Sequence, residues 1–156
     1  MILVMAFVVV GPAVSVAAEN TTGSGATAAI NDYQFQGAAT LLIHGHEKAA
    51  DLLVTVLEPP AVDANGVQLV KAMHEFTFAD GSTIVTSDLE IATPTETEGL
   101  YTIVATMNVA SGTGLYEGVA GRLEAHGTID FAAQPPAAQF ELVGVIRADT
   151  ADADSP

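Results

Sequence analysis

The stretch EFTFADGSTIV, residues 75–85, decides the fold, because it reads as two alternating strands joined by a tight turn. Asp80 and Gly81 suit the two central positions of a type I′ turn, where positive φ angles are required. Such a turn pairs Ala79 with Ser82 and so fixes the register of a hairpin. Directly opposed residues share a face of the sheet. The register predicts one largely apolar face, made of Ala72, His74, Phe76, Phe78, Thr83, Val85, Ser87 and Leu89.

The same alternation continues along the chain in short segments separated by Gly, Pro and Asn-Gly breakers. About seven or eight one-sided strands with mostly tight connections predict an antiparallel barrel or a sandwich. Closure removes the edge strands that otherwise aggregate, and this favours the barrel. We therefore predict an all-β, up-and-down barrel. The predicted strands span residues 35–43, 51–57, 67–78, 82–91, 100–109, 121–131 and 138–147.

Composition narrows the classes of partner. The chain has 156 residues, which suits one domain, and a formal net charge of −15 from 4 Lys and Arg against 19 Asp and Glu. Binding to nucleic acid requires clustered cations that displace counterions from phosphates, so this partner is excluded, as is an anionic membrane surface. The chain has no cysteine. Disulfides, zinc-thiolate sites and thiol nucleophiles are therefore excluded as well.

The two ends differ from the middle of the chain. The apolar run MILVMAFVVV and the small residues before Glu19 predict a signal peptide over residues 1–18. No Lys or Arg precedes the run, which leaves an uncleaved anchor or a buried first strand as alternatives. We predict a flexible leader at 19–34, the barrel at 35–148 and an acidic tail at 149–156. The protein is then secreted, periplasmic or extracellular, and does not contact the membrane after cleavage.

A glycine-rich segment, SGTGLYEGVAG at residues 111–121, predicts a tight loop anchored by Tyr116. Its spacing resembles the G-T/S-G-x-F/Y-x-G-x-x-G segment of the allene oxide cyclase and dirigent-like barrel proteins, of the exported bacterial type. The likeness extends into RLEAHGTIDF and QFELVGVI, which look like the closing strands of those barrels. The resemblance implies eight antiparallel strands, a hydrophobic cavity and a homotrimer. It also implies an activity on small apolar molecules, by cyclisation or by steering of radical coupling.

The residues that could carry chemistry follow from the predicted faces. His74 lies on the apolar face near Ser87, and Tyr101 lies on the inward set of a later strand. A buried imidazole beside a hydroxyl can orient a carbonyl or move a proton near neutral pH. The predicted ligand-binding residues are His74, Phe76, Ser87, Tyr101 and Tyr116. The catalytic candidates are His74, Tyr101 and Glu75.

Two alternatives stay open for the site. If the polar face lines the lumen, as it does in larger barrels, Glu75, Asp88 and Glu90 become the acid–base candidates. His44 and His46 suit a divalent cation, but no further ligand is apparent nearby, so we expect no metal and no cofactor. The residues favour a secreted barrel that binds a small apolar or aromatic molecule, and the resemblance implies isomerase, cyclase or steering activity. The alternatives are a non-catalytic module of the cell envelope, or a metal-dependent enzyme.

Overall fold

The computed structural model describes residues 20–148, and nine antiparallel β-strands account for most of them. The all-β class is confirmed. The helical element of this range is a single 3₁₀ turn, Gly114–Tyr116, and no helix within it is long and apolar enough to span a membrane. The strands are β1 Asn20–Asn31, β2 Gln34–Ile43, β3 His46–Val56, β4 Ala61–Val62, β5 Gln68–Phe78, β6 Thr83–Pro94, β7 Leu100–Thr113, β8 Ala120–Asp130 and β9 Ala137–Arg147.

Eight of these strands form a closed barrel. Consecutive strands are hydrogen-bonded neighbours, β9 pairs with β1, and β3 pairs with β5 to complete the ring. The short strand β4 is an addition, because it pairs only with the start of β5. The prediction of an eight-stranded antiparallel up-and-down barrel is confirmed. Closure leaves each of the eight strands with a partner on both sides.

The first strand corrects the predicted domain boundaries. Residues 19–34 were expected to form a flexible leader, but β1 occupies most of this range and pairs with both β2 and β9. Within the described residues, the barrel therefore includes the chain from Asn20 onwards rather than from residue 35. The strand was missed because its inward residues are Thr21, Gly23, Gly25 and Thr27. These small side chains give no apolar alternation. The predicted signal peptide at 1–18 and the tail at 149–156 lie outside the described residues.

Larger neighbours fill the space that the small inward residues of β1 leave. Gly25 lies opposite Phe140 of β9, and a Cβ built on Gly25 would come within 2.5 Å of the Phe140 ring. A Cβ on Gly23 would similarly come within 2.8 Å of the Leu41 side chain. Because interiors are close-packed, β1 can lie beside these side chains only if its inward residues stay small.

The β5–β6 hairpin exists, but its register differs by one residue from the prediction. Phe78 N–H donates to the Ser82 carbonyl and Gly81 N–H donates to the Phe78 carbonyl, so the loop has three residues rather than two. Gly81 has a φ of 83°, the left-handed conformation that closes such a loop after a type I turn. Ser82 N–H and Oγ–H also donate to the Asp80 carboxylate. These hydrogen bonds lower the pKa of Asp80.

The shifted register turns over every side chain of β6, because side chains alternate between faces with a period of two. Phe76 pairs with Ile84 and His74 pairs with Thr86, rather than with Val85 and Ser87. The apolar face predicted for β5 does face the interior, whereas that predicted for β6 faces solvent. The inward residues of β6 are Ile84, Thr86, Asp88, Glu90 and Ala92.

One end of the barrel is closed by the glycine-rich loop. The Tyr116 ring is buried there, with its centroid 4.7 Å from that of Phe78. Leu115 N–H donates to Ser82 Oγ, which ties this loop to the β5–β6 turn. Burial, and secondarily the negative charge of Asp80, raise the pKa of Tyr116. Tyr116 therefore acts as an aromatic plug of the barrel, as expected for a structural role of the loop.

Candidate functional site

The other end of the barrel opens into a cavity of about 370 Å³. Its rim lies where β1 meets β2, β3 leads to β4, β6 meets β7 and β8 meets β9, and includes Tyr33, Pro60, Gly99 and Phe131. The walls are mainly apolar. They are formed by Phe35, Val54, Val56, Val70, Ala92, Tyr101, Ile103, Ile129, Ala138 and Phe140. The volume lies in the range of roughly 300–1,000 Å³ that is usual for small-molecule sites.

Two polar side chains from adjacent strands meet at the inner part of this cavity. His74 of β5 lines it, and its Nδ1 lies 2.7 Å from Oδ2 of Asp88 on β6. Both side chains are nearly inaccessible to solvent, at 6% and 0% exposure. Asp88 Oδ1 and Thr86 Oγ1 have no hydrogen-bond partner among the described residues. A charge-assisted hydrogen bond in a dry site is strong, and it fixes which ring nitrogen of the histidine is engaged.

Glu90 completes the polar group. It follows Asp88 on the inward face of β6 and lines the same cavity, with its Oε1 4.0 Å from His74 Nδ1. That separation is too long for a hydrogen bond. Burial raises the pKa of Glu90. The charge of His74 partly offsets this shift, and the charge of Asp88 reinforces it. The carboxyl of Glu90 is thus held towards its protonated form beside an apolar space.

Aromatic rings fix the orientation of His74. Its ring stacks on Phe76 at a centroid distance of 6.3 Å, and the Phe140 ring meets it edge-on at 6.0 Å. The hydrogen bond to Asp88 adds a third constraint. With Nδ1 engaged by a carboxylate, Nε2 is the nitrogen left for a molecule in the cavity. The arrangement can accept a proton at Nε2 and donate one from Glu90.

The structure brings together some of the predicted site residues and separates others. His74 and Tyr101 both line the cavity. Phe76 is fully buried beneath His74, towards the plugged end, and is not part of the cavity wall. Ser87 is exposed on the outside because of the shifted register, and Tyr116 lies at the opposite end of the barrel. The inclusion of Phe76, Ser87 and Tyr116 among cavity residues was therefore wrong.

The alternative in which a polar face lines the lumen holds for one strand only. Asp88 and Glu90 do face the interior, whereas Glu75 lies on the outer face of β5. A two-residue turn would bring the inward residues of β5 and β6 from one face of the predicted hairpin, whereas the three-residue loop combines the apolar face of β5 with the polar face of β6. The residue that could have indicated the inward position of Asp88 and Glu90 from the sequence is Ser82. A serine directly after Asp80-Gly81 can bond back to Asp80, which suits a three-residue loop.

The remaining candidates lie away from this cavity. His44 lies in the β2–β3 turn and His46 is the first residue of β3, both at the plugged end of the barrel. Within residues 20–148, no group of three or more His, Asp or Glu side chains is arranged to hold a metal ion.

Comparisons with known proteins do not identify a relative. No protein-family model, no curated protein and no solved structure matches the chain significantly. The resemblance to the allene oxide cyclase and dirigent-like barrels stays a prediction that rests on the glycine-rich segment and the strands after it.

Proposed function

We propose that the protein binds a small, uncharged, apolar or aromatic molecule in the open end of the barrel. The observation that carries this proposal is the apolar cavity with His74 and Glu90 in its wall. Apolar walls supply affinity by removing hydrocarbon surface from water, while a few polar groups orient the molecule. A ligand with one carbonyl or hydroxyl group, turned towards His74 and Glu90, matches this distribution.

The charges in and around the cavity support a neutral ligand. An anion would meet Asp88 and the rim residue Asp32, in a protein of net charge −15. A cation would find the Asp88 carboxylate already engaged by His74, and the raised pKa of Glu90 disfavours its charged form. Burying an unpaired charge in an apolar site is costly.

A neutral fluorescent ketone, Prodan, tests the proposal directly. We expect its emission to shift to the blue on titration with the protein, and an anionic anilinonaphthalene sulfonate to bind at least about tenfold more weakly, which corresponds to 1.4 kcal/mol. Ile103→Trp fills the cavity and should abolish the shift. Val104→Trp is the matched control, because Val104 is the next residue on β7 and its side chain is 47% exposed.

Failure of every neutral apolar probe to bind would contradict the proposal and favour a non-catalytic module of the cell envelope. Export is a separate part of the proposal. Cleavage after Ala18, as the apolar run predicts, would leave Glu19 as the first residue, directly before β1. N-terminal sequencing of the protein from its own host should then begin at Glu19.

A further inference from the structure

We propose that His74, Asp88 and Glu90 form a proton-transfer site, which removes and returns a proton on the carbon next to a carbonyl group of the bound molecule. The substrate class is a neutral, apolar ketone or aldehyde with at least one such C–H bond. This inference rests on the proposed function, because the carbonyl compound must first enter the cavity.

His74 is placed to act as the base. Asp88 Oδ2 accepts a hydrogen bond from Nδ1–H at 2.7 Å, so in the neutral ring the lone pair lies on Nε2. The same carboxylate stabilises the imidazolium that forms when Nε2 takes a proton. Phe76 and Phe140 hold the ring plane, so little reorganisation is needed during the transfer. Asp88 is a positioning residue here, since its side chain is completely buried behind His74.

Glu90 is placed to act as the acid. Its carboxyl lies in the cavity wall, and its 4.0 Å distance from His74 Nδ1 leaves its proton uncommitted to the ring. Burial raises its pKa, which favours the protonated carboxyl. A carboxylic acid held neutral by an apolar site can donate to the oxygen on which charge develops during enolisation.

The step balances without any further reagent. Nε2 of His74 takes the proton, and the electron pair of the broken C–H bond forms a C=C bond to the carbonyl carbon. The carbonyl π pair moves to oxygen, which takes the proton of Glu90. In the reverse step, the enol O–H returns its proton to Glu90 and a carbon atom takes the proton from His74. Return to the same carbon exchanges hydrogen with solvent when the proton on His74 Nε2 has first been replaced by one from water, and return to a conjugated carbon shifts the double bond.

The kinds of side chain that line the cavity favour acid–base chemistry over nucleophilic catalysis. No serine or lysine lines the cavity as a nucleophile, among the residues described, and the chain has no cysteine. The hydroxyl groups in the lining belong to Tyr33 at the rim and to Thr27 and Tyr101. A histidine–carboxylate pair facing a neutral carboxylic acid is suited to acid–base chemistry.

The test uses propiophenone, a small neutral ketone, in D₂O with the full chain. Loss of the α-CH₂ signal in proton NMR measures hydrogen exchange, and displacement of Prodan measures binding in parallel. We expect the protein to accelerate exchange at least about 100-fold over buffer, the usual contribution of a positioned base. His74→Gln should return the rate to that of buffer. Glu75→Gln, next to His74 but on the outer face, should keep the full rate.

The variant Asp88→Asn distinguishes a positioning role of Asp88 from a merely structural one. An asparagine amide can donate to Nδ1, which moves the ring proton to Nε2 and removes the base. We expect a loss of about 100-fold in exchange with unchanged displacement of Prodan, and an altered pH profile for the residual rate. A merely structural hydrogen bond would instead weaken binding and exchange together.

The outcomes distinguish this inference from the proposed function. Displacement of Prodan without accelerated exchange would overturn the proton-transfer site and leave ligand binding in place. Absence of binding would overturn both. Should His74→Gln fail to fold, Ile103→Trp leaves the three polar residues intact while filling the cavity. Exchange that persists in Ile103→Trp would show that the reaction takes place elsewhere, and would equally overturn the inference.

Discussion

The hydrogen bond between His74 and Asp88 joins two polar side chains that are buried in an otherwise apolar interior. Removing one partner leaves the other buried and unsatisfied, which is much more costly than losing a hydrogen bond in water. We expect Asp88→Ala to lower the free energy of unfolding by about 3 kcal/mol in urea denaturation. Glu124→Ala, which removes exposed pairs of 4.0 Å to Arg122 and 3.8 Å to His126, should cost less than about 1 kcal/mol. Equal costs would contradict this assignment.

Glu90 gives stability a defined pH dependence. Its pKa in the folded protein is raised above the reference value of 4.5, chiefly by burial, while His74 opposes and Asp88 reinforces the shift. The folded state therefore holds this proton at pH values where the unfolded state releases it. The contribution is complete below pH 4.5 and is lost as pH rises through the raised pKa, at about 1.4 kcal/mol for each unit of difference.

Glu90→Gln removes this titration. We expect its Tm to match that of the wild type at acidic pH and to exceed it increasingly as the pH rises through the raised pKa. Val104→Trp, which changes no titratable group and lies on the outer wall, should show a constant offset in Tm over the same range. A constant offset for Glu90→Gln as well would contradict the raised pKa. Thermal unfolding followed by circular dichroism at several pH values measures both variants.

At the scale of elements, the sequence predicts where most strands run but not how β5 and β6 pair. The alternation of β5, β7, β8 and β9 identifies their inward faces, because apolar residues recur at every second position. β6 misleads because Val85, Leu89 and Ile91 make an apolar row that faces solvent. Its inward face instead carries Asp88 and Glu90. The candidate site was therefore predicted only in part. A loop of three residues rather than two changes which β6 side chains face the interior beside His74.

That loop yields a prediction about Gly81. Its φ of 83° is unfavourable for any residue with a Cβ, whereas a Cβ at this position would meet no other atom within 4 Å. The cost of a substitution is therefore purely that of the backbone conformation. We expect Gly81→Ala to destabilise the barrel by about 1–2 kcal/mol and Gly81→Asn to cost less, because Asn tolerates this region better. Equal stability of Gly81→Ala and the wild type in urea would contradict the left-handed conformation of Gly81.

For the whole molecule, closure and function depend on different ends of the same barrel. Large side chains such as Phe78, Tyr116 and Ile146 fill the plugged end, whereas the open end keeps its cavity because Ala92 and Ala138 are small. A barrel of eight strands is just wide enough for its interior to be filled or to hold one small ligand. This barrel is filled at one end and has a cavity at the other. The filled end can therefore stabilise the fold while the open end binds a ligand.

Closure of the barrel depends on β1, the strand that its small side chains make hard to recognise in the sequence. β1 bridges β2 and β9, and without it both would become unpaired edges beside the exposed interior side chains Leu41 and Phe140. Unpaired edges promote association between chains. We expect a chain that starts at Tyr33 to elute as aggregates in size-exclusion chromatography and to lose its cooperative unfolding transition. A chain that starts at Glu19 is the matched control, because it keeps β1 complete, and it should unfold cooperatively. A soluble, cooperatively unfolding protein from Tyr33 onwards would mean that residues 20–31 are dispensable, as a flexible leader would be.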